Sequence, residues 1–174
     1  SHEIYGRLLH STMAARMPDG DYESLKKHVD ELDSEDQSEV ARTQRAQVSS
    51  FKEWAAANEL RHRIRWQWHD FFENYDVLLT PTTPTPAFKH DHRKFGDRTL
   101  MVDNEERNYF EGVFWAGLSG VAYLPSTILP TGLGVDGLPI GVQIIGPEYS
   151  DLVTIGLAGE LETMGFKFVP PKNY

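Results

Sequence analysis

Between Phe51 and Tyr75, apolar side chains return every three or four positions: Phe51, Trp54, Ala57, Leu60, Ile64, Trp68, Phe71 and Tyr75. That spacing places them on one stripe of a helix, and the pattern predicts a single long helix from about Glu39 to Asn74, packed through its aromatic stripe. Arg61, Arg65 and His69 follow at i, i+4 spacing on the other face, which reads as solvated. Upstream, Ile4, Leu8, Leu9, Met13 and Met17 keep helical spacing until Pro18-Asp19-Gly20 breaks it. The acidic stretch from Asp30 to Glu39 holds few apolar residues and predicts a solvated connector or a short helix.

The period then changes. Asp76-Val-Leu-Leu-Thr80 is a short apolar run closed by Pro81, the signature of a buried strand leading into a loop. The loop from Pro81 to Arg98 is long enough to line a site. Arg98–Tyr109 predicts a small hairpin turning at Asn104-Glu105, and Tyr109–Leu118 a helix. Strands are predicted at Ser126–Leu129 and Pro139–Ile145, joined by a glycine-rich turn with Asp136-Gly137 as its signal. Asp151–Met164 predicts an amphipathic helix with Ile155, Leu157, Ala158 and Leu161 on its apolar face, capped by Gly165. Phe166–Val169 is expected to add a closing strand. Helices alternating with buried strands give an α/β class, read as one domain over 1–174, mainly helical in 1–75 and sheet-forming in 76–174.

Within the stretch GLPIGVQIIGP, alternation sets Ile140, Val142 and Ile144 on one face and Gly141, Gln143 and Ile145 on the other. A glycine inside a strand predicts close approach by a neighbour, and a buried Gln143 requires hydrogen-bond partners, expected from nearby loop backbone.

Composition narrows the function classes. The 174 residues carry a formal net charge of -9 and no cysteine. The acidic balance argues against a nucleic-acid surface, and the absence of cysteine excludes disulfides and thiol catalysis. Both suit a cytoplasmic protein, and no secretory signal is visible at the start. Gly112–Val135 is free of formal charge, but its glycines and two prolines predict buried structure rather than a membrane span.

Four motif matches weaken on context. Gly132-Leu-Gly134-Val-Asp-Gly137 fits a dinucleotide fingerprint, yet a strand follows where a helix is needed. His90-Asp91-His92 lacks a third and fourth metal ligand at a telling spacing, so no metal is expected. Ser24-Leu-Lys-Lys27 matches S-x-x-K without its companion motifs. Gly117-Leu-Ser119-Gly120 is an incomplete nucleophile elbow. No catalytic residue is assigned in this chain.

In order, Asp76-Val-Leu-Leu-Thr-Pro81, Trp115-Ala-Gly-Leu-Ser-Gly120, Leu124-Pro125, Pro130-Thr-Gly132 and Asp136-Gly-Leu-Pro-Ile-Gly-Val-Gln-Ile-Ile-Gly146 resemble the C-terminal part of an amidase signature enzyme. The resemblance covers about residues 70 to 165. It implies a mixed sheet flanked by helices and hydrolysis of a carboxamide C–N bond, without a cofactor. It also implies a serine nucleophile, a second serine in a cis peptide and a lysine, with backbone N–H groups as oxyanion hole. The family carries those groups in a glycine- and serine-rich N-terminal region with no counterpart here. The expectation is therefore a C-terminal segment of a bacterial amidase, inactive alone, whose partners are a small amide substrate and the missing catalytic region. The first residue, Ser1 rather than methionine, fits that expectation.

Tyr109, Phe114 and Trp115 are candidate walls for the acyl group, with core packing as the competing reading. Where many members read Gly-x-Pro-Ala, this chain reads Tyr123-Leu-Pro125-Ser126. That form is similar to amidases acting on small or aromatic acyl amides and points away from the A subunit of glutamyl-tRNA amidotransferase. A non-catalytic binding or assembly module remains the alternative. Exposed sheet surface predicts dimerisation of the isolated chain.

Overall fold

The computed structural model of the protein describes residues 1–134 and 137–170. The chain divides into two compact units, Ser1–Arg65 and Trp66–Tyr174.

The first unit is helical: α1 (His2–Ala14), α2 (Asp19–Asp30), α3 (Glu39–Gln47) and the start of α4 (Phe51–Phe72). α1 packs on α3 through Leu8, His10, Ala14, Ala41 and Ala46, all buried. Ser11 Oγ donates to the Ala46 carbonyl at 2.8 Å and lies 2.9 Å from Ser49 Oγ, tying the end of α3 to α1. The acidic stretch is a connector: Asp33 and Asp36 accept from the backbone N–H groups of Glu35 and Ser38. Arg45 clamps it by donating to the carbonyls of Asp36 and Asp33.

The predicted long helix is two helices. The chain breaks at Val48–Ser50, where Ser50 and Glu53 cap α4 reciprocally. The Ser50 N–H donates to Glu53 Oε2 at 2.8 Å, and the Glu53 N–H donates to Ser50 Oγ at 3.3 Å. The aromatic stripe is not sealed either. Ala57 is buried, but Phe51 is 81% and Trp66 68% exposed. At the C-terminal end the rings pack on one another, with Phe71 stacked on Tyr75 at 4.7 Å.

The second unit is built on an antiparallel sheet of β1 (Leu78–Pro81), β5 (Pro139–Ile145) and β4 (Ser126–Leu133), in the order β1-β5-β4. The α/β class is as expected, and every strand pairing among the described residues is antiparallel. β4 runs four residues past its predicted end and carries an irregularity between Pro130 and Gly132. The turn signal Asp136 lies outside the described residues, while Gly134 and Leu138 close the connection by a 2.8 Å backbone bond.

The small hairpin is β2 (Thr99–Val102) and β3 (Glu105–Asn108). It turns one residue earlier than predicted, at Asp103 and Asn104, with φ of 51° and 66°. Positive φ at both central residues is the turn whose twist matches an antiparallel pair. Tyr109–Val113 forms a 3-10 turn that runs into α5 (Phe114–Gly120).

α6 (Asp151–Thr163) packs on β4 and β5. Its buried residue is Thr154, whose Oγ1 lies 2.9 Å from Thr127 Oγ1 on β4. Ile155, predicted to face the core, is exposed, as are Leu152 and Val153. The helix ends in paired backbone bonds, Gly165 N–H to the Glu162 carbonyl and Phe166 N–H to the Leu161 carbonyl, with Gly165 at φ 106°. Beyond it, Phe166–Val169 forms no strand, contrary to expectation.

Candidate functional site

The central strand β5 is buried on both faces where it ends: Ile144 and Ile145 are 0% exposed. Among them sits Gln143, also buried, whose Nε2 donates to Thr80 Oγ1 at 3.3 Å and to the Trp115 carbonyl at 3.2 Å. Thr80 faces Gln143 directly in the β1–β5 register. One amide thus ties two strands and α5, and having both acceptors on Nε2 fixes its orientation. The partners are a strand hydroxyl and a helix carbonyl rather than the loop backbone predicted.

Two close approaches hold this arrangement. A Cβ on Gly141 would stand 3.0 Å from the Leu129 carbonyl oxygen of β4. One on Gly146 would fall 2.6 Å from Ser150 Oγ and 2.8 Å from Thr154 Cγ2. The Gly146 N–H donates to the Pro125 carbonyl at 3.1 Å, which joins the turn leaving β5 to the turn entering β4.

The candidate wall residues fall in two clusters. Phe114 and Trp115 meet edge to face at 5.1 Å at the start of α5. Tyr109 instead packs edge to face with Phe88 at 6.0 Å and Phe95 at 5.5 Å, with the Arg98 guanidinium 5.6 Å above its ring. Tyr109 therefore organises the long loop against the β2–β3 hairpin.

The weaker motifs have other work. The Asp91 carboxylate receives the Arg93 side chain and backbone N–H, which holds its pKa down to about 2. Among the described residues no group of three or more His, Asp or Glu side chains could hold a metal ion. Ser24 Oγ donates to the Gly20 carbonyl one helical turn back. Ser119 is buried and donates to the Ala116 carbonyl at 3.2 Å. Among the described residues, no serine hydroxyl is hydrogen-bonded to a lysine.

The sequence reading missed the backbone of two tyrosines. Tyr123 and Tyr149 adopt φ of 59° and 65°, unusual for bulky residues. The substitution of Tyr123-Leu-Pro for the common Gly-x-Pro marked the first position, since glycine is the residue that region of φ favours.

The family model for Amidase matches residues 13–154, most of the chain. The chain belongs to the Amidase family. Its similar relatives include the A subunits of glutamyl-tRNA(Gln) amidotransferase from Bacillus thuringiensis (strain Al Hakam) and Bacillus cereus (strain B4264). Each is 32% identical over 106 residues, covering 61% of this chain and 20% of the relative. The chain thus spans about a fifth of the length of these curated relatives. A solved amidase structure superposes with a TM-score of 0.67 at 22% identity, over 93% of this chain and 35% of the other. A bacterial aryl acylamidase of the amidase signature family gives 0.62 at 24% identity, over 92% and 32%. The fold of this chain is that of a segment of the amidase signature fold. Among the described residues, no helix is long and apolar enough to cross a membrane.

Proposed function

We propose that the chain is the scaffold and substrate-pocket portion of an amidase that hydrolyses carboxamide C–N bonds. The serine nucleophile, the second serine and the lysine come from outside this sequence. The observation that carries this reading is the state of the serines in the amidase-like segment. Ser119 is buried on a helix carbonyl and Ser150 Oγ donates to the Pro147 carbonyl at 2.6 Å, so neither is paired with a base. A nucleophilic hydroxyl needs an adjacent group to take its proton. Gln143, Thr80 and Trp115 supply rigidity, and the Phe114–Trp115 pair is the wall proposed for the acyl group. Tyr109, packed under Phe88 and Phe95, supports the neighbouring loop.

Ammonia release from benzamide and propionamide tests this, comparing the 174-residue chain with the longer reading frame that carries it. Turnover by the longer protein and none by the 174 residues is the expected result. Turnover by the 174 residues alone would overturn the placement of the nucleophile. Silence from the longer protein would overturn amide hydrolysis.

A second reading is the A subunit of a glutamyl-tRNA amidotransferase, favoured by the 32% identity to the Bacillus proteins. The Tyr123-Leu-Pro125 stretch stands against it. Glutamine hydrolysis far exceeding that of benzamide and propionamide would favour this reading. An assembly module without activity predicts a stable complex with a partner and no amide turnover in any reading frame.

A further inference from the structure

One end of the sheet collects three exposed tyrosines. The register aligns Leu78, Ile145 and Ser126 across β1, β5 and β4. The chain therefore enters β1 just after Tyr75, enters β4 just after Tyr123, and leaves β5 just before Tyr149. These side chains are 59%, 54% and 90% exposed. Tyr123 and Tyr149 have φ in the left-handed region, where a bulky residue is strained. The other two non-glycine residues with positive φ, Asp103 and Asn104, are explained by their hairpin turn.

The surroundings hold the two tyrosine turns in place. Val121 and Ala122 are buried just before Tyr123, the Leu124 N–H donates to the Ser119 carbonyl, and the Gly146–Pro125 bond links the two turns. Glycine would satisfy this backbone with less strain, so the retained side chains point to a role in contact. Exposed tyrosines offer broad, rigid, amphipathic surface of the kind found at protein interfaces. Their charge setting is one-sided. Asp76, Glu148 and Asp151 flank them, and no lysine or arginine occurs from Asp70 to Phe88 or from Asn108 to Phe166.

We propose that this tyrosine-rich end of the sheet is a docking surface for a basic protein segment, whose arginine side chains lie on the phenol rings beside the carboxylates. A guanidinium suits both features, since it stacks on aromatic faces and pairs with carboxylates. Tyr149 is its most accessible anchor.

The test is calorimetric titration of the full 174-residue chain with acetyl-Arg-Gly-Arg-amide and with its citrulline counterpart, which keeps the shape and loses the charge. The arginine peptide should bind saturably and more tightly than the citrulline peptide. Tyr149→Gly, which removes both ring and strain, should weaken it about fivefold or more without lowering Tm, whereas Tyr149→Phe should retain binding. Equal binding by Tyr149→Gly would reduce the effect to the general attraction of a -9 chain and overturn the proposal. Equal binding of the citrulline peptide, or no saturable binding, would overturn it as well.

Discussion

Gln143 and Thr80 sit opposite each other across β5 and β1, sixty-three residues apart in sequence, with Nε2 donating to Oγ1 at 3.3 Å. Because the same amide also reaches the Trp115 carbonyl, Gln143→Leu leaves two acceptors without this donor in a buried place. Loss of about 1–3 kcal/mol is expected, read from urea unfolding of the chain. A stability equal to wild type would mean that water satisfies both groups and the bridge is dispensable.

The close approach at Gly141 is a second point of stress. Gly141→Val places a branched side chain against the Leu129 carbonyl oxygen, already 3.0 Å from the first added carbon. Overpacking of this kind costs about 1–3 kcal/mol. The urea midpoint should fall with the m-value unchanged, and an unaltered midpoint would show that β4 yields at no cost.

His10 gives the α1–α3 pair a pH dependence. Burial holds its pKa below the ordinary 6.5, opposed by the Glu39 carboxylate, and its Nε2 lies 3.4 Å from Thr43 Oγ1. The neutral ring is the form the fold prefers, so between the lowered pKa and 6.5 the unfolded chain binds more protons than the folded one. Stability is fully present above pH 6.5 and declines as pH falls through this window. His10→Gln should flatten that part of the profile of Tm against pH. A slope identical to wild type would assign it to other groups.

Exposed apolar side chains predict self-association. Leu152, Val153 and Ile155 on α6, Ile128 on β4 and Phe51 and Trp66 on α4 all face solvent. Light scattering of the isolated chain should show mass rising with concentration, reduced by Leu152→Glu with Val153→Lys. A monomer at high concentration would contradict the expectation.

What could be read from the sequence depended on whether one pattern decided the outcome. β5 begins and ends where alternation, Pro139 and Gly146 place it, and α6 starts at the predicted Asp151. The break before α4 was legible too, in the S-x-x-E spacing of Ser50 and Glu53, but the apolar period bridged it and masked the cap. Periodicity reports that a stripe is apolar without saying what covers it, so exposure of Phe51 and Trp66 was beyond its reach. α6 is apolar nearly all round, which left its buried face undetermined. That face was chosen by Thr154, a polar residue, because Thr127 offers it a hydroxyl across the gap. Phe166–Val169 had strand-like composition, but an apolar run becomes a strand only where an edge accepts it. Among the candidate wall residues, adjacency in sequence found the Phe114–Trp115 pair. Nothing local connected Tyr109 to Phe88, because that contact forms only after the loop folds back.

The order β1-β5-β4 also sets an order in time. β4 and β5 are neighbours in sequence and can zip from their shared turn, whereas β1 waits for the loop, the small hairpin and α5 to be gathered before it meets β5. The last partner to arrive is the one that closes over Gln143. Until then the amide is wet, and the central strand is open along one edge for as long as that long loop takes to close.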